Sequence, residues 1–181
     1  MLSTLAKIAA VGVLTLASSA GAQKTESMGT GKGGSPHAKT TWTVNGATIS
    51  VQYGRPYLKG RPEAQLMPAG QPWRTGADEA TVITSDKPLT FGSVKLAPGS
   101  YTINTEPGEK SWQLILGKLG AAGQWGVPYQ PKLEIGRVPM TLTRAASPAE
   151  QVTIAIDGGA SPTLKVEWGT VVAAVPFKIG S

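Results

Sequence analysis

The chain has 181 residues, a formal net charge of +6, a single histidine and no cysteine. Without thiols it has no disulfides, thiolate nucleophiles or cysteine-ligated metals, so its stability must come from a packed core. The cationic excess is mild and dispersed along the chain, and no nucleic-acid-binding motif accompanies it, so no nucleic-acid partner is expected.

Residues 1–22 read as a secretory signal. Lys7 follows the amino terminus, Ile8 to Ala17 form a short apolar run, and Ala20 and Ala22 make an A-x-A cleavage site. The run is shorter than the roughly 20 apolar residues that span a bilayer. The expectation is an exported protein, periplasmic or secreted, with no transmembrane segment in the mature chain.

Residues 23–39 carry Gly29, Gly31, Gly33, Gly34 and Pro36 among small polar residues. Too little apolar surface is present to offset ordering entropy, which predicts a flexible linker. The single histidine, His37, lies here without neighbouring metal ligands and reads as a solvated spacer; no metal and no cofactor are expected.

A single domain is predicted over 40–181. Asn45-Gly46 between Thr41–Val44 and Ala47–Tyr53 is a strong hairpin signal, because both turn positions favour positive φ. Ile49, Val51 and Tyr53 share one face of the second strand. The same alternation recurs in Tyr101 and Ile103, in Trp112, Leu114 and Leu116, and in Val138, Met140 and Leu142. It returns in Val152, Ile154 and Ile156 and in Leu164, Val166 and Trp168. Turn clusters separate these runs, and no sustained helical period follows the signal. The fold class predicted is all-β, an antiparallel β-sandwich with a β-barrel-like arrangement as the alternative.

Arg55 to Thr75 is the longest stretch without alternation. It holds Arg55, Lys59, Arg61 and Arg74, with Tyr57 and Trp73 interleaved. A long irregular connection in a compact domain is often functional. Guanidinium forks suit carboxylate or phosphate, and tryptophan offers a stacking wall. Arg55, Lys59, Arg61, Trp73, Arg74, Glu79 and, from a second irregular stretch, Trp125 are therefore the candidate residues for a small anionic or carbohydrate-like ligand. Arg55, Arg61 and Arg74 also suit pairing with Glu63, Asp78 or Glu79, which would pin the loop to the sheet.

Several segments carry a family resemblance. Tyr53-Gly54-Arg55-Pro56 with Lys59-Gly60-Arg61, Trp73-Arg74-Thr75-Gly76-Ala77-Asp78-Glu79-Ala80-Thr81, Leu96-Ala97-Pro98-Gly99-Ser100-Tyr101-Thr102, Gln124-Trp125-Gly126 and Glu167-Trp168-Gly169 resemble the DUF2911 family of exported bacterial proteins. The likeness spans about Thr41 to Phe177. It implies a β-rich exported domain and no mechanism, since no function is established for the family. At residue 78, where many relatives are expected to carry Asn, this chain has Asp.

Catalytic options are narrow. With His37 assigned to the linker, a Ser-His-Asp triad and histidine-based metal sites are not expected, and no Walker or dinucleotide loop is present. Asp78 and Glu79, if on a strand, point to opposite faces, although Glu79 has Glu134 and Asp157 as further possible carboxylate partners. No catalytic residue is assigned. The leading reading is a non-enzymatic binding module acting through residues 55–81. The alternatives are a structural domain with a salt-bridge-pinned loop and a carboxylate-dependent hydrolase of the cell envelope.

Overall fold

Asn45 and Gly46 turn the chain with φ of 49° and 73°, joining β2 (Pro36–Val44) to β3 (Ala47–Gly54). Both residues are in the left-handed region that a two-residue hairpin turn requires. The register runs from Val44 opposite Ala47 to His37 opposite Gly54. These observations come from a computed structural model that describes residues 23–120 and 129–181. The signal segment 1–22 and Trp125 lie outside the described residues.

The remaining strands are β1 (Gln23–Thr30), β4 (Thr81–Ser85), β5 (Leu89–Phe91), β6 (Val94–Leu96), β7 (Gly99–Glu106), β8 (Trp112–Lys118), β9 (Glu134–Asp157), β10 (Thr163–Pro176) and β11 (Lys178–Ile179). Eight of the eleven described strands, β2 and β3 included, form one antiparallel sheet in the order β1-β2-β3-β4-β7-β8-β9-β10, which curls into a half-barrel. The chain leaves this order once, between β4 and β7, where β5 and β6 join β11 in a three-stranded sheet. Antiparallel all-β architecture is thus as predicted, and the curl accommodates both the sandwich and the barrel descriptions.

Alternation explains the core. Ile49, Val51 and Tyr53, Trp112, Leu114 and Leu116, Val152, Ile154 and Ile156, and Leu164, Val166 and Trp168 are all buried. Each such side chain contributes about 1.5–3 kcal/mol of apolar burial. The small sheet closes onto this interior through Leu89, Phe91 and Leu96, with Phe91 and Phe177 stacked at 4.9 Å. Tyr53 ties β3 to β9 across the curl: its Oη accepts the Ile154 amide N–H at 2.9 Å.

Two expectations are corrected here. The segment predicted as a flexible linker contains β1 and the beginning of β2. Gln23 pairs with Trp42 and Lys24 with Thr41, continuing toward Thr30 opposite Pro36. All of β1 is exposed. Its order comes from a backbone ladder on the edge of β2, which a test for buried apolar surface does not detect.

The stretch from Arg55 to Thr75 is also ordered against the sheet. Tyr57 bridges Gln151, Trp73 bridges Thr105, and a single helical turn, α1 (Glu63–Leu66), lies between them. Trp73 stacks on Trp168 at 5.5 Å and meets Trp112 edge-on at 6.3 Å. The loop is therefore anchored by aromatic packing as well as by backbone pairing. Among the described residues no helix is long and apolar enough to cross a membrane.

Candidate functional site

The Trp73–Thr81 segment is built to bond itself. Thr75 and Asp78 take left-handed conformations, with φ of 56° and 65°. Aspartate tolerates this region better than most side chains do. Arg74 Nη1 donates to the Asp78 carbonyl at 2.7 Å, and Thr81 Oγ1 donates to the Thr75 carbonyl at 3.2 Å. The Ala77 amide donates to the Gly54 carbonyl at 3.3 Å, fixing the turn on the end of β3.

This turn changes the geometry expected of the two carboxylates. Asp78 and Glu79 precede β4 and do not alternate across a strand; both reach His37. His37 Nε2 lies 3.0 Å from Asp78 Oδ2 and 3.4 Å from Glu79 Oε2. One ligating atom from each of the three side chains falls within 4.8 Å of the others. His37 is therefore a residue of the fold, held on β2 opposite Gly54. Its side chain is 10% exposed and that of Asp78 only 5%. The assignment of His37 as a solvated spacer is overturned, and with it the exclusion of histidine chemistry.

The preceding glycine-rich segment closes over the cluster. The Gly33 amide donates to Asp78 Oδ1 at 2.9 Å. A β-carbon at Gly31 would collide with Asp78 Oδ2 and His37 Nε2, and one at Gly33 with Asp78 Oδ1. The glycines there permit close approach of backbone to carboxylate. Beside them is a cavity of about 300 Å³ lined by Met28, Thr30, Gln52, Tyr53 and Glu79 as well as His37.

Among the described residues, those singled out from sequence do not converge. Arg55 Nε donates to the Val152 carbonyl at 3.1 Å and its Nη2 to Thr153 Oγ1 at 3.2 Å. Arg61 donates to the Leu58 and Tyr57 carbonyls at 2.9 and 2.6 Å. The Lys59 amide donates to Glu150 Oε1 at 2.8 Å. Arg74 bonds the turn, and Trp73 packs on Trp168. The loop is pinned mainly through carbonyls and hydroxyls, where sequence reasoning expected arginine–carboxylate pairs. Of the six candidates among the described residues, Glu79 is the one at the cluster. Its other suggested partners are engaged elsewhere, Glu134 with Arg137 and Asp157 with Lys165.

A larger cavity, about 440 Å³, lies between α1 and β9 over Met67, Trp112, Leu142 and Val171. Glu63 and Arg144 at its rim already face one another at 3.3 Å. Size alone does not make it the better site; the smaller cavity holds the convergent polar groups.

Fold and cluster together define an antiparallel all-β domain with a histidine–dicarboxylate centre at one end of its main sheet. The chain belongs to the family described as Protein of unknown function (DUF2911), whose model matches residues 35–177. That range includes His37, Asp78 and Glu79 and leaves out β1. No curated protein and no solved structure matches the chain.

Proposed function

We propose that the protein is an exported binding module, released from segment 1–22, whose pocket beside His37, Asp78 and Glu79 takes a small positively charged ligand. The observation that carries this reading is the convergence of two carboxylates and an imidazole on one cavity of about 300 Å³. The chain as a whole is cationic, yet the acidic groups here set the local field and favour a cation. An anionic ligand gripped by Arg55, Arg61 and Arg74 has less support, because each donates to the protein itself. The hydrolase reading also has less support: one oxygen of Asp78 and one of Glu79 lie within 4.8 Å of each other, closer than the ~5–10 Å between the carboxyl groups that flank a glycosidic bond.

Thermal unfolding of residues 23–181 against a panel of cations (divalent metal salts and polyamines) and anions (citrate and glucuronate) tests this. A cation should raise the melting temperature, and Glu79→Gln should remove the rise while leaving the unliganded protein folded. A rise with anions alone, abolished by Arg74→Ala, would return the site to the 55–75 loop.

A further inference from the structure

Resting on the cation-binding reading above, we propose that the ligand is a divalent metal ion of the zinc class. It is coordinated directly by His37 Nε2, Asp78 Oδ2 and Glu79 Oε2, and its remaining coordination is open toward the cavity.

The spacing fits a single ion. Metal–nitrogen and metal–oxygen bonds of about 2.0–2.2 Å place neighbouring ligand atoms about 3–3.5 Å apart. The two His37 distances are 3.0 and 3.4 Å. The donor types narrow the metal. Calcium and magnesium favour all-oxygen shells, whereas an imidazole beside carboxylates suits zinc and its transition-metal neighbours.

A second observation points the same way. Glu79 Oε2 is itself buried and makes no hydrogen bond, although the side chain as a whole is 35% exposed. It sits at ion-pair distance from His37 without hydrogen-bond geometry, leaving a carboxylate oxygen aimed at the cluster. Such an atom is costly unless something charged meets it.

The surrounding bonds orient the set. The Gly33 amide holds Asp78 Oδ1, which turns Oδ2 toward His37, and Arg74 holds the Asp78 carbonyl. Outer contacts of this kind fix the direction of metal ligands. Gly31 brings backbone close above Asp78 Oδ2 and His37 Nε2, so the space between these ligands suits a bare ion better than the carbon chain of an amine. Three protein ligands with an open side is the arrangement of zinc sites that bind water or a further ligand. An anionic group entering the cavity would then be held by the metal and not by arginine.

The test uses residues 23–181 stripped of metal by a chelator and titrated with zinc sulfate in a calorimeter. One zinc per chain is expected, with Glu79→Gln weakening binding at least tenfold and His37→Gln abolishing it. Cobalt(II) should give visible absorption bands that both variants lose. Glu79 is partly exposed, so its variant keeps the test valid if His37→Gln does not fold. Zinc bound equally well by the parent and Glu79→Gln would overturn the proposal, as would calcium or magnesium binding as tightly as zinc. If zinc is silent while a polyamine gives a Glu79-dependent thermal shift, the metal assignment falls and the cation pocket stands. If no cation acts, both fall.

Discussion

Tyr53 shows how one side chain couples the hairpin to the far side of the curled sheet. Its ring is buried with the core, and its hydroxyl oxygen accepts the Ile154 N–H at 2.9 Å. Tyr53→Phe keeps the ring and strands that amide, so a loss of about 1–3 kcal/mol is expected in chemical denaturation. Burial, the largest influence, pushes the Tyr53 phenol above its ordinary value of 10.0, despite the opposing Ile154 hydrogen bond and nearby Arg55. A raised folded-state value favours the protonated form. The associated stability is fully present below pH 10.0 and is lost as pH rises through the folded value. The parent should therefore weaken above pH 10.0 more steeply than Tyr53→Phe, measured as the difference between their denaturation midpoints. A parallel fall in both proteins would show that Tyr53 does not titrate late. The buried face holding Tyr53 was legible from the Ile49-Val51-Tyr53 alternation, but its partner on β9 was not. Their contact spans 101 positions, and strand order is not written in a local period.

Among the elements, α1 was hidden inside an irregular stretch because four residues are too few to show a helical period. Its position rests on Glu63. Oε1 accepts the Thr170 amide at 2.6 Å and the Thr170 hydroxyl at 3.0 Å. This caps an irregularity in β10, where Gly169 has φ of 61° and the β9 register shifts on either side. A charge-assisted bond to a backbone amide contributes about 1.5–3 kcal/mol. The ion pair to Arg144 adds little, since Arg144 is 73% exposed. Glu63→Ala should thus destabilise by about 1–3 kcal/mol and speed hydrogen exchange at Thr170. Glu63→Gln, which keeps an acceptor for the amide, should do so by less. Equal losses would assign the effect to charge. The β2–β3 pair carried a readable signal for the site as well. A two-residue turn at Asn45-Gly46 with a strand reaching Gly54 requires a partner extending back to His37. Composition was the weaker guide: glycine content marked this stretch as a spacer, whereas Gly31 and Gly33 are there to admit the Asp78 carboxylate.

At the scale of the whole molecule, the arrangement separates a matched domain from a strand added to its edge. The family match begins at residue 35, while β1 pairs with β2 along a backbone ladder, with Thr25 Oγ1 3.1 Å from Thr40 Oγ1 and Glu26 opposite Lys39. No β1 side chain is buried. Each ladder hydrogen bond contributes a net ~0.5–1.5 kcal/mol, which the ~1–2 kcal/mol of backbone entropy per ordered residue largely offsets. Beginning the chain at Gly31 should therefore change global stability by less than about 2 kcal/mol. It should also raise hydrogen exchange along the newly exposed edge of β2, from His37 to Trp42. The cavity tells against β1 as mere decoration, because Met28 and Thr30 form part of its wall. The truncated chain keeps Gly33 on Asp78, so its three coordinating side chains should remain in place while one side of the cavity opens. Unfolding by denaturant, compared for chains beginning at Gln23 and at Gly31, checks the stability. Zinc titration of the same two proteins separates the roles: unchanged affinity assigns β1 to the cavity wall, and a large loss would make the strand a support of the cluster. Loss of cooperative unfolding on truncation would show that the edge strand carries the stability here assigned to the core.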